Sequence, residues 1–219
     1  LGASAEGAAD ADEACRLLAG LGATSALGSA HLLAGALWED AGDAEKAVTR
    51  YRVTVRHAEQ EDGDLAGANF RLARAMLSVG DAEEAADLFN TVLQLEEQAG
   101  VEAGSRAMTA SMLGRALAAA GEFGPAVGAH GYAAELFEEA EQHADQAVSM
   151  LERAKILARF DEHDDAIELL EEAADAARKD PQAIGTLADV LHNLGQGYGM
   201  VQNPKAFEMF DEVAELART

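Results

Sequence analysis

Apolar and small residues recur along the chain at helical spacing, and short polar turns separate the segments that carry them. The turn segments AGDAEKA (41–47) and VGDAEEA (79–85) nearly repeat each other, and AGEFGPA (120–126) is a looser copy. Glycine favours the left-handed backbone that ends a helix. The acidic residue that follows is favourable at the positive N-terminal end of the next helix. Each segment therefore predicts a helix, a turn and a second helix.

The alanine that closes each turn recurs in a fixed frame. The frame places marker alanines at Ala14, Ala47, Ala85, Ala126, Ala166 and Ala206, at intervals of 33 to 41 residues. Four residues after the markers come Leu18, Tyr51, Phe89, His130, Leu170 and Phe210, five of which are large and apolar. Self-similarity at such intervals is typical of repeat proteins, in which each repeat is one supersecondary unit.

The helix before each turn carries a small residue and then a bulky one three positions later. The small residues, twelve before the marker, are Gly35, Ala73, Gly114 and Ala154; the bulky ones are Trp38, Met76, Leu117 and Leu157. Gly195 and Tyr198 take these places in the last unit after a one-residue shift. Residues three apart share a helix face. We therefore expect a neighbouring helix to approach closely at each small residue.

These frames give a helix map. Second helices of the units are predicted at about 10–20, 43–60, 81–98, 124–142, 163–179 and 204–218, and first helices precede all but the earliest. The segment LGQGYGM (194–200) is predicted to make a poor helix end, because three glycines in five residues are costly in a helix.

The order of small residue, aromatic, Gly-acid turn, alanine and large apolar residue resembles the tetratricopeptide repeat, a helix-turn-helix unit of about 34 residues. Gly35, Trp38, Gly42, Ala47 and Tyr51 carry the resemblance. Most intervals here are closer to 40 residues, as in the long-repeat variety of kinesin light chains and bacterial regulators. His130 and the glycine-free turn FDEHDDA (160–166) depart from the pattern.

The resemblance implies an all-α fold, a right-handed α-solenoid of stacked antiparallel helix pairs. We expect a single domain over residues 1–219, with units at about 1–22, 23–61, 64–99, 102–142, 144–180 and 181–219. The chain begins on a second helix and with Leu1 rather than Met. We therefore expect it to be part of a longer protein, and its composition, rich in Ala, Gly and Arg, indicates a bacterial source.

Charge and composition exclude several functions. The 219 residues carry 16 Lys and Arg against 40 Asp and Glu, a formal charge of −24. Such a surface repels nucleic acid and anionic lipid. The sequence has no apolar stretch of about 20 residues that would span a membrane, and no secretory signal. Cys15 is the only cysteine, which favours a buried structural role and a cytoplasmic location.

Candidate chemistry is sparse. No two histidines form an HxxxH pair, and no nucleophile signature is present. The run GQGYG lacks the spacing of a phosphate loop, and DEHDD (161–165) lacks that of a zinc or calcium site. The sequence predicts no enzyme activity, no catalytic residues, no metal and no cofactor.

In tetratricopeptide proteins the first helices line a concave groove. The resemblance therefore directs the residue after each small position towards the groove: Ala36, Arg74, Arg115, Lys155 and Gln196. Arg71 and Arg159 lie three and four residues from that line on the same helix faces. The predicted peptide-binding groove comprises Arg71, Arg74, Arg115, Lys155, Arg159, Phe70, Met108, Met112, Leu151, His192 and Asn193, beside Leu32 and Leu33.

This lining predicts a protein-interaction module whose partner is an acidic or carboxylate-bearing peptide or protein segment. An alternative interpretation pairs the cations with local acids such as Glu152. Two other functions stay open. One is a ligand-sensing or regulatory solenoid of a larger signalling or transcriptional regulator. The other is a structural scaffold that self-associates into a homo-oligomer through its terminal helices.

Overall fold

The computed structural model describes residues 2–61 and 63–218, and every regular element in these ranges is an α-helix. The chain divides into two compact units, Leu1–Ala99 and Gly100–Thr219. The prediction of an all-α fold of consecutively paired helices is confirmed. The single-domain assignment stays a prediction, and each unit is described by itself below.

The first unit contains helices α1 to α5, each packed against the next. Their bounds are α1 Gly2–Gly20, α2 Thr24–Asp40, α3 Ala44–Gln60, α4 Leu65–Val79 and α5 Ala82–Ala99. Polar contacts also join the first three helices. Asp12 of α1 accepts a hydrogen bond from Nε1 of Trp38 at 3.1 Å and pairs with Arg50 at 2.6 Å.

The second unit contains helices α6 to α11, again packed consecutively, and α8 also packs against α10. Their bounds are α6 Ala103–Ala119, α7 Phe123–Glu139, α8 His143–Arg159, α9 His163–Arg178, α10 Ile184–Met200 and α11 Lys205–Leu216. A continuous apolar core joins α8 to α11, with Leu170, Leu191 and Leu194 nearly inaccessible to solvent. This core fixes the spacing of α8 and α10, which matters for the site described below.

At three of the predicted small positions, a Tyr, His or Phe ring from the other helix of the pair packs against the glycine. A Cβ atom at Gly35 would lie 2.5 Å from the Tyr51 ring, and one at Gly114 would lie 2.7 Å from the His130 ring. At Gly195 the Phe210 ring would be 2.9 Å away. In all three pairs the ring belongs to the residue four after the marker alanine. The repeat frame therefore describes a physical contact between the two helices.

The predicted turn chemistry is also confirmed. Gly42, Gly80 and Gly121 have φ of 80°, 92° and 84°, the left-handed region in which glycine has no steric penalty. Asp43 begins α3, and its side chain accepts a hydrogen bond from the Lys46 amide at 3.1 Å. In the glycine-free turn, Asp161 adopts the left-handed conformation itself, with φ of 63°.

Two expectations need correction. The frame is wrong in the earliest helix: Ala14 is exposed, whereas Ala8 and Cys15 are the buried positions of α1. The expected poor helix end at 194–200 is also wrong, because α10 continues to Met200. Packing explains this continuation, since Gly195 makes room for Phe210 and Gly197 for Ile167. α1 also begins earlier than predicted, at Gly2.

Candidate functional site

All five predicted groove cations have exposed side chains. Arg71 and Arg74 lie on α4 of the first unit, Arg115 lies on α6, and Lys155 and Arg159 lie on α8 of the second unit. The surroundings of these cations differ between the two units.

In the first unit, Arg74 is part of a polar cluster. Its guanidinium is 3.6 Å from Oε1 of Glu39, and the other carboxylate oxygen, Oε2, accepts a hydrogen bond from the Tyr51 hydroxyl. Burial and the negative charge of Glu39 raise the pKa of Tyr51, so this hydroxyl stays protonated. Phe70 packs edge-on against Phe89, with 5.5 Å between ring centroids. Arg71 borders a separate cavity of about 290 Å³ together with Leu32 and His57.

Arg115 of α6 lies beside methionines. Its Nη1 is 3.5 Å from the sulfur of Met112, and Met108, one turn earlier on the helix, is 50% exposed. A cation next to exposed, adaptable methionine side chains can meet both the charged and the apolar groups of a ligand. The structure therefore places Arg115, Met108 and Met112 on one accessible stretch of α6.

The predicted residues of α8 differ in accessibility. Lys155 donates to Glu152 at 2.8 Å, as the alternative interpretation expects. Because both partners are about 40% exposed, this pair contributes little stability, and Lys155 can exchange Glu152 for another carboxylate. Arg159 stacks over the Phe123 ring at 4.5 Å, a contact that orients the guanidinium. Leu151 is only 4% exposed and belongs to the core, so it offers no surface to a partner.

His130 lies between the predicted residues of α6 and α8. It is 1% exposed, and desolvation by burial lowers its pKa. The positive charge of Arg115 lowers this pKa further, and the negative charge of Glu152 raises it. Arg115 and Glu152 are thus both near enough to act electrostatically on one buried imidazole.

A cavity of about 620 Å³ lies between α8 and α10. Its polar lining is supplied by Lys155, Arg159, His163, Asn193 and Gln196. Its apolar lining includes Leu170, Met200 and Phe210, with Gly195, Gly197 and Gly199 along α10. The structure therefore brings the predicted Lys155, Arg159 and Asn193 together around one apolar cavity with cations at its edge.

The predicted residues of α10 have local polar contacts. Asn193 donates from Nδ2 to the backbone carbonyl of Asp189 at 2.8 Å. His192 is exposed and does not line the cavity; its Nε2 is 3.0 Å from Nε2 of Gln196, and its ring is 5.8 Å from that of Phe210. An asparagine amide has two N–H donors and an acceptor oxygen. Asn193 therefore keeps hydrogen-bonding capacity towards the cavity.

The sequence did not identify His163, Met200 or Phe210 as members of this site. His163 lies in the run DEHDD, which lacks the spacing of a zinc or calcium site, and Met200 belongs to the glycine-rich segment predicted to make a poor helix end. The signal that was available is the run of three glycines at 195, 197 and 199. Such glycines mark a helix face with little side-chain bulk, where a cavity can form.

No known protein family and no curated protein matches the chain in sequence. Solved structures do match its fold. BtubC (BKLC) from P. vanneervenii is 22% identical over 97% of this chain and 89% of its own, with a TM-score of 0.77. A kinesin light chain-type protein of Podosopora anserina with nearly identical TPR-like repeats is 22% identical over 88% and 95%, with a TM-score of 0.72.

A third similar structure is the apo form of RapI, 15% identical over 86% of this chain and 69% of its own, with a TM-score of 0.76. At these identities the similarity is one of fold. Among the described residues, no helix is long and apolar enough to cross a membrane. The chain has the fold of the tetratricopeptide-like helical-repeat proteins, as the repeat frame of its sequence predicts.

Proposed function

We propose that the chain is a protein-interaction module whose second unit binds an acidic or carboxylate-bearing peptide segment on α6, α8 and α10. One observation carries the proposal: Lys155, Arg159 and Asn193, which the repeat frame and the resemblance assign to the groove, lie around one apolar cavity. We assign this binding to the cytoplasm and assign no catalysis, cofactor or metal to it.

Electrostatics explains the choice of partner. The protein carries a formal charge of −24, so exposed cations that are not neutralised locally are scarce. Arg115 and Arg159 are exposed, and their neighbours in the structure are a methionine sulfur and an aromatic ring. Neither neighbour neutralises the guanidinium. Because a guanidinium matches a carboxylate as a two-pronged donor, acidic side chains are its best partners.

The apolar neighbours explain why a peptide is favoured over a small anion. Met108 and Met112 on α6 and Met200 on α10 are flexible and polarizable, and such side chains adapt to varied partners. Exposed apolar groups bordered by polar ones mark interaction surfaces. In the first unit, α4 also combines an aromatic residue with cations, namely Phe70, Arg71 and Arg74. We propose that these residues form a separate contact surface for a partner, confined to the first unit.

Paired charge variants test the proposal. The double variant R115Q/R159Q removes two cations of the proposed surface. K179Q/R218Q is the matched control, because it removes the same charge from exposed positions of the same unit. We expect fluorescence anisotropy with labelled Asp- and Glu-rich decapeptides to show binding to the wild type and the control. The surface variant should bind about tenfold more weakly, a loss of about 1.4 kcal/mol. Equal affinities of the two variants would contradict the proposal.

Self-association is a second candidate, favoured by the exposed apolar face of α11. Phe207 is 75% exposed and Phe210 is 39% exposed. If this face joins two copies, the wild type will gain mass in light scattering as its concentration rises, and F207S will not. A wild type that stays monomeric at high concentration would exclude this candidate.

A further inference from the structure

We propose that the cavity between α8 and α10 is an anchor pocket for one large apolar side chain of the acidic peptide, with a flanking carboxylate held by Lys155 and Arg159. This inference rests on the proposed function and makes it more specific. If binding depended on charge alone, any acidic segment would bind. The inference requires in addition that the partner carries a large apolar residue.

The floor of the cavity is suited to an apolar group. Leu170 is 3% exposed and belongs to the core, whereas Met200 is 66% and Phe210 is 39% exposed. Apolar side chains that remain in contact with water are stabilised when a ligand covers them, by about 25 cal/mol for each Å² buried. The accessible Met200 and Phe210 side chains are therefore favourable sites for contact with a ligand ring or branched chain.

The glycines of α10 give the cavity its depth. A Cβ atom at Gly199 would meet nothing within 4 Å, whereas one at Gly197 would lie 3.0 Å from Ile167. Gly199 lines the cavity, and its lack of a side chain leaves open space rather than accommodating a neighbour. The glycine lowers helix stability without serving a packing contact, which is consistent with keeping the cavity open.

The edge of the cavity is suited to the polar parts of a peptide. The Lys155–Glu152 pair is exposed and exchangeable, and Arg159 is oriented by its stacking on Phe123. Asn193 uses one amide hydrogen for the Asp189 carbonyl and can pair its remaining groups with a peptide bond. Cations beside an apolar recess therefore match an apolar residue next to Asp, Glu or a terminal carboxylate.

The size of the cavity supports an anchor rather than a flat contact. Its volume of about 620 Å³ lies within the range of about 300 to 1,000 Å³ of ligand pockets in proteins. Aromatic anchors that fill such recesses provide much of the affinity of protein interfaces. We therefore assign the pocket to a Phe, Trp or Leu side chain of the peptide.

Two glycine variants test the pocket. G199F adds a ring at a glycine that lines the cavity and whose Cβ would meet no other atom within 4 Å, and we expect the ring to obstruct the cavity. G185F is the matched control: Gly185 is on the same helix, its Cβ would also meet no atom within 4 Å, and it does not line the cavity. Both substitutions replace an exposed helical glycine and add the same ring. Circular dichroism melting will show whether both variants are folded.

The probes are acidic decapeptides of equal charge that carry Phe or Ala at the central position. We expect wild type and G185F to prefer the Phe peptide by about tenfold, a preference of the size that one anchor residue provides. G199F should bind both peptides with the weaker affinity of the Ala peptide. Phenylbutyrate, an apolar carboxylate without a peptide backbone, should bind the wild type at least tenfold more weakly than the Phe peptide.

The outcomes separate the inference from the proposed function. If the wild type binds both peptides equally, or if G199F keeps the preference for Phe, the anchor pocket is wrong and acidic-peptide binding stands. If phenylbutyrate matches the Phe peptide, the pocket is a small-molecule site and the peptide assignment is overturned. If the wild type binds neither peptide, the proposed function fails, and the inference fails with it.

Discussion

At Gly35 the ring of Tyr51 occupies the space that any side chain would need. The nearest ring atom would lie 2.5 Å from an added Cβ, and Tyr51 is fully buried. A buried aromatic ring cannot move aside as an exposed lysine can. The contact therefore links the identity of residue 35 to the spacing of α2 and α3.

We predict that G35A destabilises the protein by about 1–3 kcal/mol, because overpacking outweighs the gain in helix propensity. G128A is the control, since Gly128 lies in α7 and its Cβ would meet no other atom within 4 Å. That variant should gain stability, by up to about 1 kcal/mol. Urea unfolding gives both free energies. A stabilised G35A would show that the close approach of α2 and α3 has no energetic consequence.

His130 takes the place of a large apolar residue, and its burial connects stability to pH. Burial is the main cause that lowers its pKa in the folded state; the negative charge of Glu152 opposes this effect, and the positive charge of Arg115 adds to it. The unfolded chain therefore binds a proton near pH 6.5, the ordinary histidine pKa, whereas the folded protein does not. This contribution to stability is complete above that pH and is lost as the pH falls below it.

We predict that H130F is more stable than the wild type at pH 5, and that the difference narrows towards pH 8. His31 is buried, and its pKa is lowered mainly by desolvation, so it should leave a residual pH dependence of the same sign. The same difference between H130F and wild type at pH 5 and pH 8 would contradict this account.

At the scale of elements, several turns between helices contain one residue in the left-handed conformation, and this residue is a glycine in some turns but not in others. Gly42, Gly80 and Gly121 adopt the left-handed conformation without penalty, whereas Glu141 adopts it with φ of 56°. A left-handed conformation costs a residue with a side chain about 1–2 kcal/mol. The turn between α7 and α8 therefore carries strain that glycine would relieve.

We predict that E141G stabilises the protein by up to about 1 kcal/mol, because relief of strain outweighs the greater freedom of the unfolded glycine. E138G provides the contrast, since Glu138 is an exposed helical residue of α7. It should lose about 1 kcal/mol. Thermal unfolding of both variants checks the signs. Loss of stability in E141G would refute the account of the turn.

The sequence predicted the helices well because their signals are local. The Gly-acid turns and the small-to-large spacing depend on residues within one helix pair, such as Gly35 and Tyr51. The course of α10 was less predictable, since it also depends on contacts between helix pairs, such as that of Gly197 with Ile167 of α9, which lies outside the α10–α11 pair. The cavity beside α10 depends on those same contacts, so the sequence indicated its cations but not its floor.

At the scale of the whole molecule, the net negative charge affects the binding of an acidic partner. A formal charge of −24 repels an acidic peptide at a distance, so only local cations make binding favourable. Salt screens both the repulsion and the attraction. The proposed peptide contacts with Arg115 and Arg159 are between exposed charges and depend on salt, whereas the proposed apolar contacts in the cavity do not depend on charge.

We predict that raising NaCl from 0.05 to 0.5 M weakens acidic-peptide binding severalfold without abolishing it, since screening lengths shorten from above to below about 10 Å. R115Q/R159Q should show a shallower dependence, because two attractive contacts are absent. Titration calorimetry across this range measures both slopes. Identical slopes for the variant and wild type would mean that these arginines do not contact the peptide.

The location of the binding surface is the central claim, and amide chemical-shift mapping tests it most directly. Addition of the Phe-containing acidic decapeptide to ¹⁵N-labelled protein should shift the amides of α6, α8 and α10, with the largest changes near Lys155, Arg159 and Asn193. The amides of α1 to α3 should shift much less. Changes concentrated on α1 to α3, or no changes at saturating peptide, would contradict the account.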